Sequence, residues 1–360
     1  LLRKSKKPFV KLTLYLNIIF AIFLFIEIYR YAEIDPFKPE LINKEVSVEK
    51  INKKIMPDIY YLVFDGYTSN TSLKRFWNYN NSGIKNFLLE KGFWVSDSST
   101  SNYNATELSK ISALNLSYLN INSPEEFYRI NYIDFENLLD DNSLFRFLRK
   151  YNYEIKSDYT FDYPYMPWVG KGSIENLYYR TIIYLFQEKL SGTKTPDFYK
   201  TYETQINNII NINRKEKPLF NTMHITLPHC PNIYDSSGNR LFTDNKKINF
   251  DDDKDKYLEQ VKYSNSLIKK IVSSILEKEN YEPIIIIQGD HGFRNLKNLS
   301  KNDMLEESFS IMNAIYLPGN NYSQFYSKIS SVNTFRMVLN TCFGADYKKL
   351  EDKKVNIFVN

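Results

Sequence analysis

Ile284-Ile285-Ile286-Ile287-Gln288-Gly289-Asp290-His291-Gly292 is the stretch that decides how this chain folds. Four consecutive β-branched residues between turn formers read as a strand buried on both faces, the kind found in the middle of a parallel sheet. The run stops on a carboxylate and an imidazole. Open α/β sheets place their ligand sites at the carboxyl ends of parallel strands, which makes Asp290 and His291 candidates for metal binding. Adjacent residues at a strand end point to opposite faces, so both reach one ion only if the chain turns there, as Gly289 and Gly292 permit. A second run, Ile59-Tyr60-Tyr61-Leu62-Val63-Phe64, follows Pro57 and ends the same way on Asp65-Gly66-Tyr67. Two buried strands that each deliver an aspartate beside a glycine point to one shared site.

The 360 residues, 43% hydrophobic and 25% charged, suit one large globular domain with accessories rather than a disordered chain. The net charge of +5 arises from 47 basic against 42 acidic residues, and Arg3, Lys4, Lys6, Lys7 and Lys11 concentrate basic charge at the start. The remainder is near neutral and lacks the basic face of a nucleic-acid binder, so no nucleic-acid partner is expected. Cys230 and Cys342 are the two cysteines, too few for a disulfide scaffold or a zinc cluster.

From Phe9 to Tyr29 the chain is dominated by Leu, Ile, Phe, Val and Ala, close to the roughly 20 residues that cross a bilayer. The basic cluster before it and Glu33 and Asp35 after it predict a cytoplasmic amino terminus and an extracytoplasmic remainder. The run lacks a small-x-small cleavage site and the sequence begins at Leu1, so a retained transmembrane helix is expected, as the single or last one, with further sequence upstream. This gives residues 1–33 as the helix with its basic flank, 34–56 as a linker, 57–345 as the main domain and 346–360 as a tail.

Within the domain the pattern predicts a doubly wound, mostly parallel sheet flanked by helices. Residues 84–91 read as a helix, Phe93 to Val95 as a short strand, 106–119 as a helix and Leu219 to Leu227 as a strand. Residues 255–277 carry the clearest amphipathic period, through Leu258, Val261, Leu267, Ile268, Ile271, Val272, Ile275 and Leu276, and feed into the Ile284 strand. The Tyr- and Asn-rich stretch 125–215 is expected as an insertion over the site.

Three histidines bound the chemistry: His224, His229 and His291. Thr106, in Ser101-Asn102-Tyr103-Asn104-Ala105-Thr106-Glu107-Leu108-Ser109, stands where a helix should begin. There it would serve either as an N-cap or, beside unpaired N–H groups and the positive helix end, as an attacking oxygen toward phosphate. A metal on that hydroxyl would lower its pKa.

Together, Asp65-Gly66, Ser101-Asn102-Tyr103 with Thr106, the His224 to His229 segment and Asp290-His291-Gly292 resemble, in order, the alkaline phosphatase superfamily. The likeness is to its sulfatase-like branch, with the lipoteichoic acid synthases and phosphoethanolamine transferases, and runs from Pro57 to Gly344, including Tyr316-Leu317-Pro318-Gly319. The resemblance implies that Asp65, Thr106, Asp290 and His291 ligate a divalent cation (Mn, Mg or Zn), with Thr106 also the nucleophile. It puts His229 against the substrate, as donor to phosphate or proton source for the leaving group. His224, inside a strand, is expected to be structural; Asn102 and Arg294 are candidates to help hold the anion but are expected to be ordinary loop residues. The formylglycine pentapeptide C/S-x-P-x-R of sulfatases is missing, and no histidine follows His291, which favours one metal. The expected activity is therefore a metal-dependent phosphotransferase or phosphodiesterase, membrane-anchored and acting through phospho-Thr106 on a lipid-linked or envelope-glycan substrate. The rivals are a non-catalytic envelope binding or assembly protein on the same fold, and a sulfate-ester hydrolase.

Overall fold

The computed structural model describes residues 10–32, 36–43, 56–130, 132–158, 198–211, 217–242, 253–278, 282–294, 296 and 299–358. The two apolar runs become the central strands β1 (Ile59–Phe64) and β5 (Ile284–Gly289), both buried throughout. With β2 (Trp94–Ser96), β3 (Glu154–Asp158), β4 (Leu219–Ile225) and β6 (Asn313–Tyr316) they form one six-stranded sheet in the order β2-β6-β5-β1-β4-β3. Strand β1 pairs in parallel with both β4 and β5, and β3 with β4. The sheet is mixed, because β6 runs antiparallel to β5 and to β2.

Alternation along β1 and β5 explains why both had to be apolar throughout. Ile59, Tyr61, Val63, Ile284 and Ile286 face one core, Tyr60, Leu62, Phe64, Ile285 and Ile287 the other. The first core is closed by helix α4 (Thr106–Asn115), by the helix Ser143–Lys150 and by a C-terminal helix, Ser331–Phe343. The second is closed by α2 (Asn70–Trp77), α3 (Ser82–Glu90) and the long helix Lys254–Lys278, whose predicted apolar stripe lies against it. Each fully buried isoleucine contributes about 1.5–3 kcal/mol relative to exposure, so this double coverage fixes the sheet's place.

Of the stretch 125–215, the described parts are not simply an insertion: they build helices and add β3 to the sheet edge, while 159–197 lies outside the described residues. The segment read as a linker is docked where it is described, with Phe37 bridging Ile130 and Leu41 bridging Leu119. The expected membrane span falls on helix α1 (Val10–Ala32), on which Leu14, Phe20, Phe23 and Phe25 lie exposed. Among the described residues no helix is long and apolar enough to cross a membrane.

Candidate metal and phosphoryl-transfer site

Register alone brings the site together. Phe64 is opposite Gly289 and Val63 is opposite both Gln288 and His224, so the residues following β1 and β5 emerge abreast. Side chains two apart share a face, which puts Asp65, Asp290 and His224 on the same side of the sheet as Val63. Helix α4 packs on this same face.

Asp65, Asp290, His224 and His291 are all buried. His291 Nε2 lies 3.2 Å from Asp65 Oδ1 and 3.8 Å from Asp290 Oδ2. His224 Nε2 lies 3.6 Å from Asp65 Oδ2 and 3.7 Å from Asp290 Oδ2. One ligand atom from each of Asp65, His224 and Asp290 falls within 4.8 Å of the other two, and the same holds for Asp65, His229 and His291. The two sets share Asp65.

Hydrogen bonds orient these groups without consuming them. Asp290 Oδ1 accepts from the amides of Gly66 and His291, each at 2.9 Å, which leaves Oδ2 aimed at the imidazoles. His291 Nδ1 sits 2.7 Å from the Gly292 carbonyl; as donor there it leaves the Nε2 lone pair facing Asp65. Both oxygens of Asp65, Asp290 Oδ2, His224 Nε2 and His291 Nε2 are buried without a hydrogen-bond partner. Orphaned buried polar atoms each cost about 1–3 kcal/mol, so five converging ones, all of metal-ligand type, fit a bound divalent cation.

The electrostatics agree. Burial alone would push Asp65 up, and Asp290 adds to that, but His229, His291 and His224 outweigh both and hold it below the usual carboxylate range. Asp290, against the same burial, is held well below by His291, His224 and the Gly66 amide. Burial and Arg294 press His291 down, and the two aspartates more than reverse this. All three directions are those of a pocket shaped for positive charge.

Thr106 is the first residue of α4, and Ala105, which has no capping side chain, is its N-cap. The N-cap alternative for Thr106 is thereby removed. Three residues on, Ser109 Oγ donates to the Asp290 carbonyl at 2.5 Å, which fastens the Thr106 face of the helix to the metal-ligand loop. Lys110, on the next step of that face, is buried; burial pushes its amine down to about 8 against the opposing pull of Asp290, Glu107 and Asp65.

His229 is half-buried in the turn after β4, with its amide on the Asp65 carbonyl at 3.1 Å. Helix Lys254–Lys278 supports both loops: Tyr257 Oη donates to the Gly66 carbonyl at 2.7 Å, and Gln260 Nε2 to the carbonyls of Pro228 and His229 at 3.0 Å each. These two supports carried no signal in the sequence beyond being polar breaks in an apolar stripe.

The glycines act differently from expectation. Gly66 does take a left-handed φ of 67°, and a Cβ there would stand 3.3 Å from His229 Cδ2. Gly289 and Gly292 have no positive φ; at Gly292 a Cβ would collide with the backbone carbonyl of Glu307, on helix Lys301–Phe309. Glu307 itself is fully buried, neither oxygen has a partner at hydrogen-bond geometry, and burial pushes its pKa up to about 8 although Ser72, Thr68, the Phe293 amide and Arg75 favour the ionised form.

An α/β sheet thus carries, beyond its parallel strand ends, a buried carboxylate–imidazole cluster with the donor set of a possible metal site. The chain belongs to the sulfatase family, whose model matches residues 62–339. No curated protein sequence matches it. Among solved structures it is similar to the C-terminal periplasmic domain of EcEptC from Escherichia coli, at 11% identity over 86% of this chain and 89% of that one, with a TM-score of 0.51. The zinc complex of that domain matches at 10% identity over 90% and 91% of the two chains, TM-score 0.51. The C-terminal periplasmic domain of phosphoethanolamine transferase EptC from Campylobacter jejuni matches at 15% identity over 85% and 96%, TM-score 0.45.

Proposed function

We propose that this protein is a metal-dependent phosphotransferase or phosphodiesterase of the sulfatase-like group that works through a covalent phospho-Thr106. The observation that carries the reading is the convergence of buried, unbonded Asp65, Asp290, His224 and His291 atoms, with the helix that begins with Thr106 tied to the Asp290 carbonyl through Ser109. These side chains would hold one divalent ion, which supplies charge neutralisation at the phosphoryl oxygens and acidifies the Thr106 hydroxyl. His224 joins the ligand group in this reading, in place of the structural role expected for it. Thr106 Oγ1 attacks phosphorus, the bond from phosphorus to the substrate's ester oxygen breaks, and the departing alcohol takes a proton. The proton lost by Thr106 goes to solvent. A second alcohol or water then displaces Thr106, which completes transfer or hydrolysis. His229 faces the reacting centre with its Nε2 against Arg294, and the departing alcohol takes its proton from solvent.

Thr106 itself supports phosphoryl over sulfuryl chemistry, since the formylglycine pentapeptide is missing from the sequence. The apolar exposed side chains of α1, next to the basic flank, support attachment to a membrane surface, and the periplasmic domains among the structural neighbours agree with an extracytoplasmic position. A lipid-linked or envelope-glycan substrate fits that position. The test assays the whole chain, loaded with Mn, Mg or Zn, on phosphodiester, phosphomonoester and sulfate-ester reporters. Metal-dependent phosphodiester cleavage lost in Thr106→Ala is expected. Turnover of sulfate esters alone, or phosphodiester turnover that survives Thr106→Ala, rejects the reading.

A further inference from the structure

Arg75, Arg146, Arg149 and Arg240 each meet a carboxylate. Arg294 does not: among the described residues its side chain contacts no carboxylate. Its Nη1 donates to the Asn104 carbonyl at 3.1 Å, Nη2 lies 3.1 Å from His229 Nε2, and the guanidinium sits 5.1 Å from the centroid of Phe358. His229 Nδ1 lies 2.8 Å from the Cys230 carbonyl, so as donor there it leaves Nε2 to accept from Arg294. The cation is therefore uncompensated, three residues beyond His291 and bonded to the residue two before Thr106.

The C-terminal segment holds that arrangement. The Val355 amide donates to the Asn102 carbonyl at 2.8 Å and the Ile357 amide to Asn104 Oδ1 at 2.7 Å. Asn104 Nδ2 donates to Asn356 Oδ1 at 2.9 Å, and Tyr103 and Val355 form a parallel bridge. This segment thus lies as an extra strand along the loop that leads into Thr106, and its Phe358 covers one face of Arg294. A guanidinium with one face on an aromatic ring and spare N–H groups is preset for a planar, two-pronged contact with an oxyanion.

We propose that Arg294 binds the non-bridging oxygens of the substrate's phosphoryl group, and that the segment Val355–Phe358 is the positioning element that presets it. The inference rests on the phosphoryl-transfer reading above and names the group that holds the anion. Inorganic phosphate is the probe, titrated into the metal-loaded full chain by calorimetry, so that the readout does not depend on turnover. Arg294→Ala weakens phosphate binding by about 10- to 100-fold, the loss expected for a charge-assisted contact. Phe358→Ala weakens it less and Phe358→Tyr restores it, while Arg75→Ala, at an exposed arginine already paired with Asp303, changes nothing. With a phosphodiester reporter Phe358→Ala raises KM more than it lowers kcat. Phosphate binding that survives Arg294→Ala, in a variant that still binds metal, overturns this inference alone. Failure of the metal-loaded wild type to bind phosphate overturns it together with the phosphoryl-transfer reading.

Discussion

Glu307→Gln isolates one buried proton, and its effect on stability has a sign and a size that follow from the structure. The carboxyl is fully buried and its pKa rises from an ordinary 4.5 to about 8. Because the folded value is the higher one, the native state binds the proton more tightly than the unfolded chain does. The contribution to stability is complete below pH 4.5 and is lost as pH rises toward 8. Each pH unit between those limits costs about 1.4 kcal/mol, so from pH 5 to pH 8 the wild type loses about 3–4 kcal/mol through this group. Glutamine keeps the shape and has no proton to lose. Urea unfolding of both proteins with a chelator present, at pH 5, 6, 7 and 8, measures the difference directly, because every other titrating group is common to the pair. The gap in favour of Glu307→Gln should widen steadily with pH and flatten above 8. A gap constant to within about 0.5 kcal/mol over that range refutes the assignment of a neutral buried carboxyl behind Gly292.

Three further outcomes test the site. A divalent cation at a hundredfold excess over its Kd adds about 2.7 kcal/mol, which raises Tm by roughly 3–5 °C for a domain of this size, and the shift vanishes in Asp65→Asn and Asp290→Asn; an undiminished shift in both, by scanning calorimetry, disqualifies the cluster. His224→Gln weakens metal binding by at least about tenfold in a calorimetric titration, whereas unchanged affinity returns His224 to a purely structural place in β4. Gly66→Ala costs about 1–2 kcal/mol through its left-handed backbone, and Gly292→Ala costs about 3 kcal/mol or more because the clash there is with backbone; equal losses in chemical denaturation contradict that ranking.

What the sequence disclosed and what it withheld divide along one physical line. Runs such as Ile59–Phe64 and Ile284–Ile287 declare themselves because a strand buried on both faces is dominated by apolar residues, and the long amphipathic helix declares itself by period. The start of α4 at Thr106 was legible to the residue. His224 was not, because its place depends on which Cα of β4 is opposite Val63, and interstrand register is written in no single segment. The reversal of β6 and the docking of Val355–Phe358 on the Thr106 loop were hidden for the same reason. Gly292 was read as a flexible turn residue, but what demands glycine there is the carbonyl of Glu307, approaching from a different helix.

That division also explains why the charge balance of the site emerges only from the assembled fold. Asp65 and Asp290 each end a strand that is otherwise apolar, and either carboxylate alone at such depth would take up a proton. Parallel pairing sets them abreast, which sharpens the conflict, and the same pairing brings His224 alongside to relieve it. Helix α4 then contributes a further buried cation, Lys110, whose amine is already pushed down to about 8 and so holds its charge only at a cost. Imidazoles and a reluctant amine are weak sources of positive charge, and none of them saturates the five atoms left without hydrogen bonds. A divalent ion does both at once. The fold therefore concentrates negative charge where three parallel strands end, sets imidazoles and Lys110 of its own against it, and still leaves five buried donor atoms there without hydrogen bonds.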